Sequence, residues 1–289
     1  MKGRIIKGIG GFYYVRCEDG KTYETRACGR FRKEKITPLV GDMVSLDESF
    51  GFVNEIDERS CSFIRPPVAN ISQMIVVLCT TSPKVDLKIV DAMLLYIEEK
   101  GINSAVCINK SDLDSEENIA EVKNIYEVAG YKVIVTSAEK GIGADELCEV
   151  LKDNITAFAG NSGVGKSSLL NLVDKEYDLE TGSISEKIQR GKHTTRHTEL
   201  MPLKFGGYVL DTPGFGKIDL PKMEARFLQD YFKEFEPYKN ECRFQGCSHT
   251  KERDCAVKDA LESGKISKSR YESYLEFYEK LKENKPWNM

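Results

Sequence analysis

Gly160-Asn161-Ser162-Gly163-Val164-Gly165-Lys166-Ser167 fits G-x-x-x-x-G-K-[ST], a loop that wraps nucleotide phosphates. No other stretch constrains the fold as tightly, because such a loop works only between a strand and a helix. The preceding "ITAFAG" is short, apolar and β-prone, and "SSLLNLV" behind it has helical spacing of apolar residues. Glycines let the backbone curl so that successive N–H groups point at phosphate oxygens, and the helix N-terminus adds the positive end of its dipole. Lys166 is expected to reach the β- and γ-phosphates, and the Ser167 hydroxyl to ligate Mg²⁺. A Gly/Ser-rich turn that matches by accident is the competing explanation, and the strand–loop–helix setting argues against it. The loop begins past the midpoint of a 289-residue chain.

Two segments ahead of it select the base. Asn109-Lys110-Ser111-Asp112 follows a strand-like run and matches N-K-x-D. A carboxylate at Asp112 can accept from both N1–H and the exocyclic N2–H₂ of guanine, whereas adenine offers no donor at either position. Lys110 can lie along the base and Asn109 can brace the loop. Ser137-Ala138, after "VIVT", supplies a second base loop through backbone N–H groups. A helix N-cap would explain "NKSDL" alone. Its pairing with "TSA" some two dozen residues later favours GTP over ATP.

Asp211-Thr212-Pro213-Gly214 follows "GYVL" and matches D-x-x-G. Asp211 is expected to hold Mg²⁺ through water, and the Gly214 N–H to sense the γ-phosphate. Between this motif and the phosphate loop lies "GKHTTRHTEL", the expected first switch, in which Thr194 or Thr195 completes the Mg²⁺ shell. The residue after Gly214 is Phe215, where many GTPases place a glutamine that orients the attacking water. Hydrolysis is therefore expected to be slow unaided. His193 and His197 are candidates for holding the water, with nucleic-acid contact as their rival role.

The usual order is phosphate loop, switch threonine, DxxG, NKxD, SA. Here the elements run NKSD, TSA, GNSGVGKS, HTT, DTPG. A circularly permuted chain can assemble the same pocket, because a sheet needs each strand in place and not in sequence order. The second switch, 211–217, then leads straight into the carboxy-terminal region. That region contains Cys242, Cys247, His249 and Cys255, spaced C-x₄-C-x-H-x₅-C. Three thiolates and one imidazole satisfy tetrahedral Zn²⁺ with no open position, which predicts one structural zinc ion. Iron–sulfur ligation suits the histidine less well.

The remaining sequence divides by pattern. Residues 1–67 contain short β-like runs broken by glycine, with "GRFRKEK" as a basic link and "IRPPVAN" at the end, predicting a small barrel. Strand–helix alternation over 68–217 predicts a mostly parallel sheet covered on both faces. Residues 218–289 read as helical and charged around the cysteine cluster. Tyr271, Tyr274, Phe277 and Tyr278 are expected to pack a terminal helix onto the domain, stacking on RNA bases being the alternative. No apolar run approaches the ~20 residues of a membrane span. The first twenty residues lack the apolar core of a signal peptide, and the six cysteines outside the cluster are scattered singly. A cytoplasmic, reduced, monomeric protein without membrane contact is expected. Residues 1–35 carry ten Lys/Arg against four Asp/Glu, a net +6 in a chain whose total is −4. Overall acidity argues against indiscriminate polyanion binding, and the basic front end permits a local nucleic-acid contact.

Taken together, the barrel, the NKxD-before-GxxxxGKS order and the Cys/Cys/His/Cys loop resemble the ribosome small-subunit-dependent GTPase A (RsgA) family over residues 1 to about 280. The resemblance implies an OB-fold amino-terminal domain, a circularly permuted P-loop GTPase domain with a mostly parallel sheet, and a helical zinc-binding domain. It also implies binding to the small ribosomal subunit and its rRNA during late maturation, with subunit-stimulated hydrolysis of GTP to GDP. Guanine contacts fall on Asn109, Lys110 and Asp112, phosphate contacts on Gly160, Asn161, Ser162, Gly163, Val164, Gly165, Lys166, Ser167 and Ser168, and zinc on the four clustered ligands. The hydrophobic residue that the family carries after DxxG is matched by Phe215. In an acidic chain the RNA contacts must concentrate on patches such as 2–35. The competing function is an RNA-binding assembly chaperone in which the nucleotide is mainly structural, with RNA affinity indifferent to GTP or GDP.

Overall fold

The computed structural model describes residues 1–47, 49–174, 198–211, 215 and 219–283. The chain opens with β1 (Lys2–Ile9), β2 (Phe12–Cys17) and β3 (Thr22–Ala27), followed by α1 (Gly29–Glu34), β4 (Met43–Leu46) and β5 (Phe52–Ile56). Alternation along these strands points Ile5, Val15, Val44 and Val53 inward, where they are buried. The strands run in the order β1-β2-β3-β5-β4, and β4 returns to β1 with Gly3 opposite Val44, so the barrel closes. Among the described barrel strands only β3 and β5 pair in parallel. The basic link is the helix α1, anchored by buried Phe31. A short hairpin follows, β6 (Ser62–Phe63) with β7 (Val68–Ala69), and Pro66-Pro67 lie in its turn.

A second group of strands forms β8 (Gln73–Leu78), β9 (Asn103–Ile108), β10 (Lys132–Val135), β11 (Ile155–Ala159), β12 (Glu199–Pro202) and β13 (Tyr208–Asp211). Their order is β10-β9-β8-β11-β13-β12, parallel throughout except for β12. Every residue of β8 and of β11 is buried, as two-sided helical cover requires. That cover comes from α2 (Leu87–Glu99), α3 (Glu116–Val128), α4 (Ala144–Leu151) and α5 (Lys166–Val173). The Asp86 side chain caps α2, and Ser115 caps α3. The chain starts mid-sheet at β8 and moves outward through β9 and β10. It then restarts beside β8 with β11 and moves the other way. The β8/β11 boundary is therefore the point of reversal, beyond whose carboxyl ends open α/β sheets bind ligands. At the far edge β12 meets β1 of the barrel, with Lys7 opposite Glu199 and their side chains paired at 2.6 Å.

The carboxy-terminal region is less helical than its charge pattern predicts. Residues Ala225–Tyr231 and Lys233–Phe235 form 3₁₀ turns, and α6 (Ala256–Glu262) and α7 (Lys268–Glu283) follow. The aromatics organise it: Phe232, Phe235, Tyr271, Tyr274 and Phe277 are buried together with Leu95 of α2. Beside them Arg270 donates to Glu234 (2.7 and 3.1 Å) and to Asp91 of α2 (2.8 Å). All three side chains of this ion cluster are buried, and Ser273 donates to the second Asp91 oxygen at 2.6 Å. All nine cysteines are free thiols. Among the described residues no helix is long and apolar enough to cross a membrane.

Candidate nucleotide site and candidate metal centre

The phosphate-loop sequence leaves the carboxyl end of β11 and enters α5 at Lys166. Its glycines are required by space as much as by torsion. A Cβ on Gly160 would lie 2.3 Å from the Val77 carbonyl oxygen, and one on Gly165, at φ +95°, would lie 2.2 Å from the Asn109 amide. Lys166 Nζ donates to the Gly160 and Asn161 carbonyls at 2.7 and 2.8 Å, and burial lowers its pKa. A partly desolvated ammonium held against the loop's own carbonyls is suited to the charged oxygens of a phosphate chain. Val164 is buried beneath the loop, and Ser162, Gly163, Ser167 and Ser168 complete its rim and first helical turn.

Asn109, at the carboxyl end of β9, ties three loops together. Its Nδ2 donates to the Val164 carbonyl at 2.9 Å, and its Oδ1 accepts from Thr136 Oγ1 at 3.1 Å and from Ala138 N at 3.3 Å. The Cys79 thiol also reaches the Val164 carbonyl, at 3.4 Å. Lys110 adopts left-handed backbone (φ +61°), and its Nζ donates to the Ser82 carbonyl at 2.8 Å, which stretches its stem along the mouth of the site. The Ser137 hydroxyl donates to Asp112 Oδ1 and so orients a carboxylate that is otherwise exposed. The base-loop and phosphate-loop residues expected from sequence are thus brought to one end of one sheet. Thr136, Cys79 and the Ser82 carbonyl are contributors that motif reading missed.

Asp211 ends β13 at this same edge. His193, Thr194, Thr195, His197 and Gly214 lie outside the described residues. Phe215 is described and buried: its ring meets Phe63 edge-on at 5.4 Å, and its carbonyl accepts from Gly160 N at 3.1 Å.

The four clustered ligands meet as predicted. One donor atom from each of Cys242, Cys247, His249 and Cys255 falls within 4.8 Å of all the others. Bonds of about 2.3 Å to sulfur and about 2.0 Å to nitrogen give a tetrahedron with S···S edges of about 3.8 Å and S···N edges of about 3.5 Å. The cluster has Cys242 Sγ···Cys255 Sγ at 3.8 Å, and His249 Nδ1 at 3.5 and 3.4 Å from those two sulfurs. The residues therefore fit a zinc-sized tetrahedral ion. The other ring nitrogen, Nε2, lies 2.6 Å from Gln229 Oε1, which turns the Nδ1 lone pair toward the sulfurs. Glu252 holds the loop by accepting from Ser248 N (2.9 Å), Thr250 N (3.0 Å) and Lys251 N (3.1 Å). Burial pushes the Cys247 thiol up to about 12, so a cation that favours thiolate would have to displace its proton.

The sequence profile of the RsgA GTPase domain matches residues 56–221, and that of the RsgA N-terminal domain matches residues 2–49. A protein of Caldanaerobacter subterraneus subsp. tengcongensis named "Small ribosomal subunit biogenesis GTPase RsgA" is 47% identical over 288 residues, 98% of this chain and 96% of its own. One of the same name from Alkaliphilus metalliredigens is 45% identical over 98% of this chain and 99% of its own. The crystal structure of YjeQ from Thermotoga maritima superposes with a TM-score of 0.85 at 33% identity, covering 98% of this chain and 99% of that one. That of YloQ, described as a circularly permuted GTPase, gives 0.83 at 36% identity over 99% and 96%. With profiles matching both its barrel and its permuted sheet, and relatives that align end to end, the chain belongs to the RsgA family of GTPases.

Proposed function

We propose that this protein is a GTP hydrolase that binds the small ribosomal subunit and acts in its late maturation, with slow intrinsic turnover that the subunit stimulates. The observation that carries the reading is Asn109. One buried amide joins the N-K-x-D loop, the T-S-A loop and the phosphate loop, as a site reading guanine and triphosphate together requires. Asp112 accepts from the guanine N1–H and N2–H₂, Lys110 covers the base, and Ser137 and Ala138 frame it. Gly160 to Ser168 cradle the phosphates, with Lys166 reaching the β- and γ-phosphates. Ser167, Thr195 and Asp211 serve Mg²⁺, which when bound neutralises charge on the β- and γ-phosphates. Gly214 reports the γ-phosphate, and His193 or His197 positions the attacking water where Phe215 cannot. Cys242, Cys247, His249 and Cys255 hold one structural zinc ion.

In this reading the protein acts as a cytoplasmic monomer of three units, the barrel over 1–67, the GTPase over 68–217 and the zinc unit over 218–289. The barrel contacts rRNA through its basic front end, residues 2–35. The test is GTP turnover with and without purified small subunits, with ATP and large subunits as controls. Stimulation by small subunits alone is expected. Tight GTP binding without any stimulation would overturn the ribosome-activated mechanism.

A further inference from the structure

We propose that the β6–β7 hairpin is a positioning element that transmits the placement of the barrel to the phosphate loop through one aromatic pair, Phe63 and Phe215. The inference rests on the guanine-nucleotide reading above. Its first link is at Gly41, which is stitched to β1: Gly41 N donates to the Ile5 carbonyl at 2.8 Å, and Arg4 Nη1 donates to the Gly41 carbonyl at 2.7 Å. The opposite side of Gly41 touches the hairpin so closely that a Cβ there would stand 1.9 Å from the Ala69 carbonyl oxygen. Ala69 N donates to the Val40 carbonyl at 2.9 Å, and Val40 and Val68 form a parallel bridge.

Val68 is paired across the hairpin with Phe63, so the strand that meets the barrel faces the residue that meets the core. Phe63 is buried, with Tyr96 of α2 at 6.1 Å on one side and the Phe215 ring at 5.4 Å on another. The Phe215 carbonyl bonds the Gly160 N–H, the first amide of the phosphate loop, and Gly160 itself is wedged against the Val77 carbonyl. Each link is a hydrogen bond or a close-packed contact without slack, so displacement at one end is passed on and not absorbed. Phe215 is also the residue after Asp-x-x-Gly, the element expected to respond to the γ-phosphate. The nucleotide and the barrel thus bias the same ring pair, and by reciprocity whatever repositions the barrel changes nucleotide preference.

The test measures the affinities of fluorescent GTP and GDP analogues, with ATP as control, for the full chain and for Arg4→Ala, Phe63→Leu and the double variant. Melting curves establish that each variant is folded. Arg4→Ala, which loosens Gly41 at the barrel end, is expected to change the GTP/GDP affinity ratio by about threefold or more. Phe63→Leu is expected to abolish that sensitivity, leaving the double variant equal to Phe63→Leu alone. An Arg4→Ala effect that persists in the Phe63→Leu background would overturn the proposal. A lowered melting temperature with an unchanged affinity ratio would do so too. Failure of the unaltered protein to prefer GTP over ATP would instead remove the guanine reading on which the proposal stands.

Discussion

Replacing Asn109 by alanine is the sharpest probe of how the site is built. The side chain is only 1% exposed and makes three hydrogen bonds, at 2.9, 3.1 and 3.3 Å, to Val164, Thr136 and Ala138. At about 1 kcal/mol net for each bond, the three account for about 3 kcal/mol. The partners are left unequally placed. Thr136 Oγ1 can turn to the Ile108 carbonyl at 3.5 Å, and half-buried Ala138 can reach water. Among the described residues the Val164 carbonyl keeps only the weak Cys79 thiol. One poorly satisfied carbonyl adds about 1 kcal/mol, so Asn109→Ala is expected to lose about 3–4 kcal/mol in urea unfolding. A domain of ordinary stability holds only about 5–15 kcal/mol, so the loss is plain in a melt. Fluorescent GDP should bind about 10–100-fold more weakly, because the three loops must be ordered on binding. Thr136→Val removes one of the same bonds, about 1 kcal/mol, and should add almost nothing in the Asn109→Ala background. A loss below about 1 kcal/mol with unchanged GDP affinity would refute the idea that this amide ties the loops.

Asp112→Asn is expected to weaken GTP binding about 100-fold or more and to favour xanthine nucleotides, whose 2-oxo group accepts from an amide; an unchanged preference in competition titrations would take Asp112 out of base recognition. Gln229→Ala removes the acceptor beyond His249 and should lower zinc affinity about 10–100-fold in chelator competition. Equal affinity would mean that the imidazole is oriented by other contacts. Arg270→Met leaves Asp91 and Glu234 buried without a countercharge and should destabilise by about 3–5 kcal/mol, whereas replacing all three by apolar residues of similar size should be near neutral. Similar losses from both changes, read in denaturant melts, would show that the charges themselves stabilise the fold.

The site's motifs are legible because each is contiguous: N-K-x-D, T-S-A, G-x-x-x-x-G-K-S and the cysteine spacing all name local turns with fixed chemistry. The ties between motifs have no such form. Nothing in "VIVTSA" marks Thr136 as the brace of a residue nearly thirty positions away, and a glutamine in a 3₁₀ turn carries no sign that it will orient His249. Barrel closure depends on β1 meeting β4 across some forty residues, which local alternation cannot reveal. Arg270 sits in "KSRYESYLEFYEKLKE", where it reads as part of a solvated face. The available clue lay in α2, where Asp91 adjoins Val90 on an otherwise apolar, buried face. "IRPPVAN" reads as an ending, yet its prolines turn a hairpin that returns Phe63 to the core.

The strand order also fixes a sequence of events in time. All five barrel strands lie within the first 56 residues, so that unit has its full set of partners while the remainder is still being synthesised. Strands β8 to β10 follow, and β8 then presents an open edge, because its neighbour β11 is made from residues Ile155–Ala159 only later. At roughly 5–20 residues per second the interval lasts seconds, long enough for an uncovered apolar edge to matter. Strand β13 arrives later still, at Tyr208–Asp211. A nascent chain therefore carries a completed barrel well before it can hold a phosphate, and the surface expected to meet RNA precedes the switch that would control it.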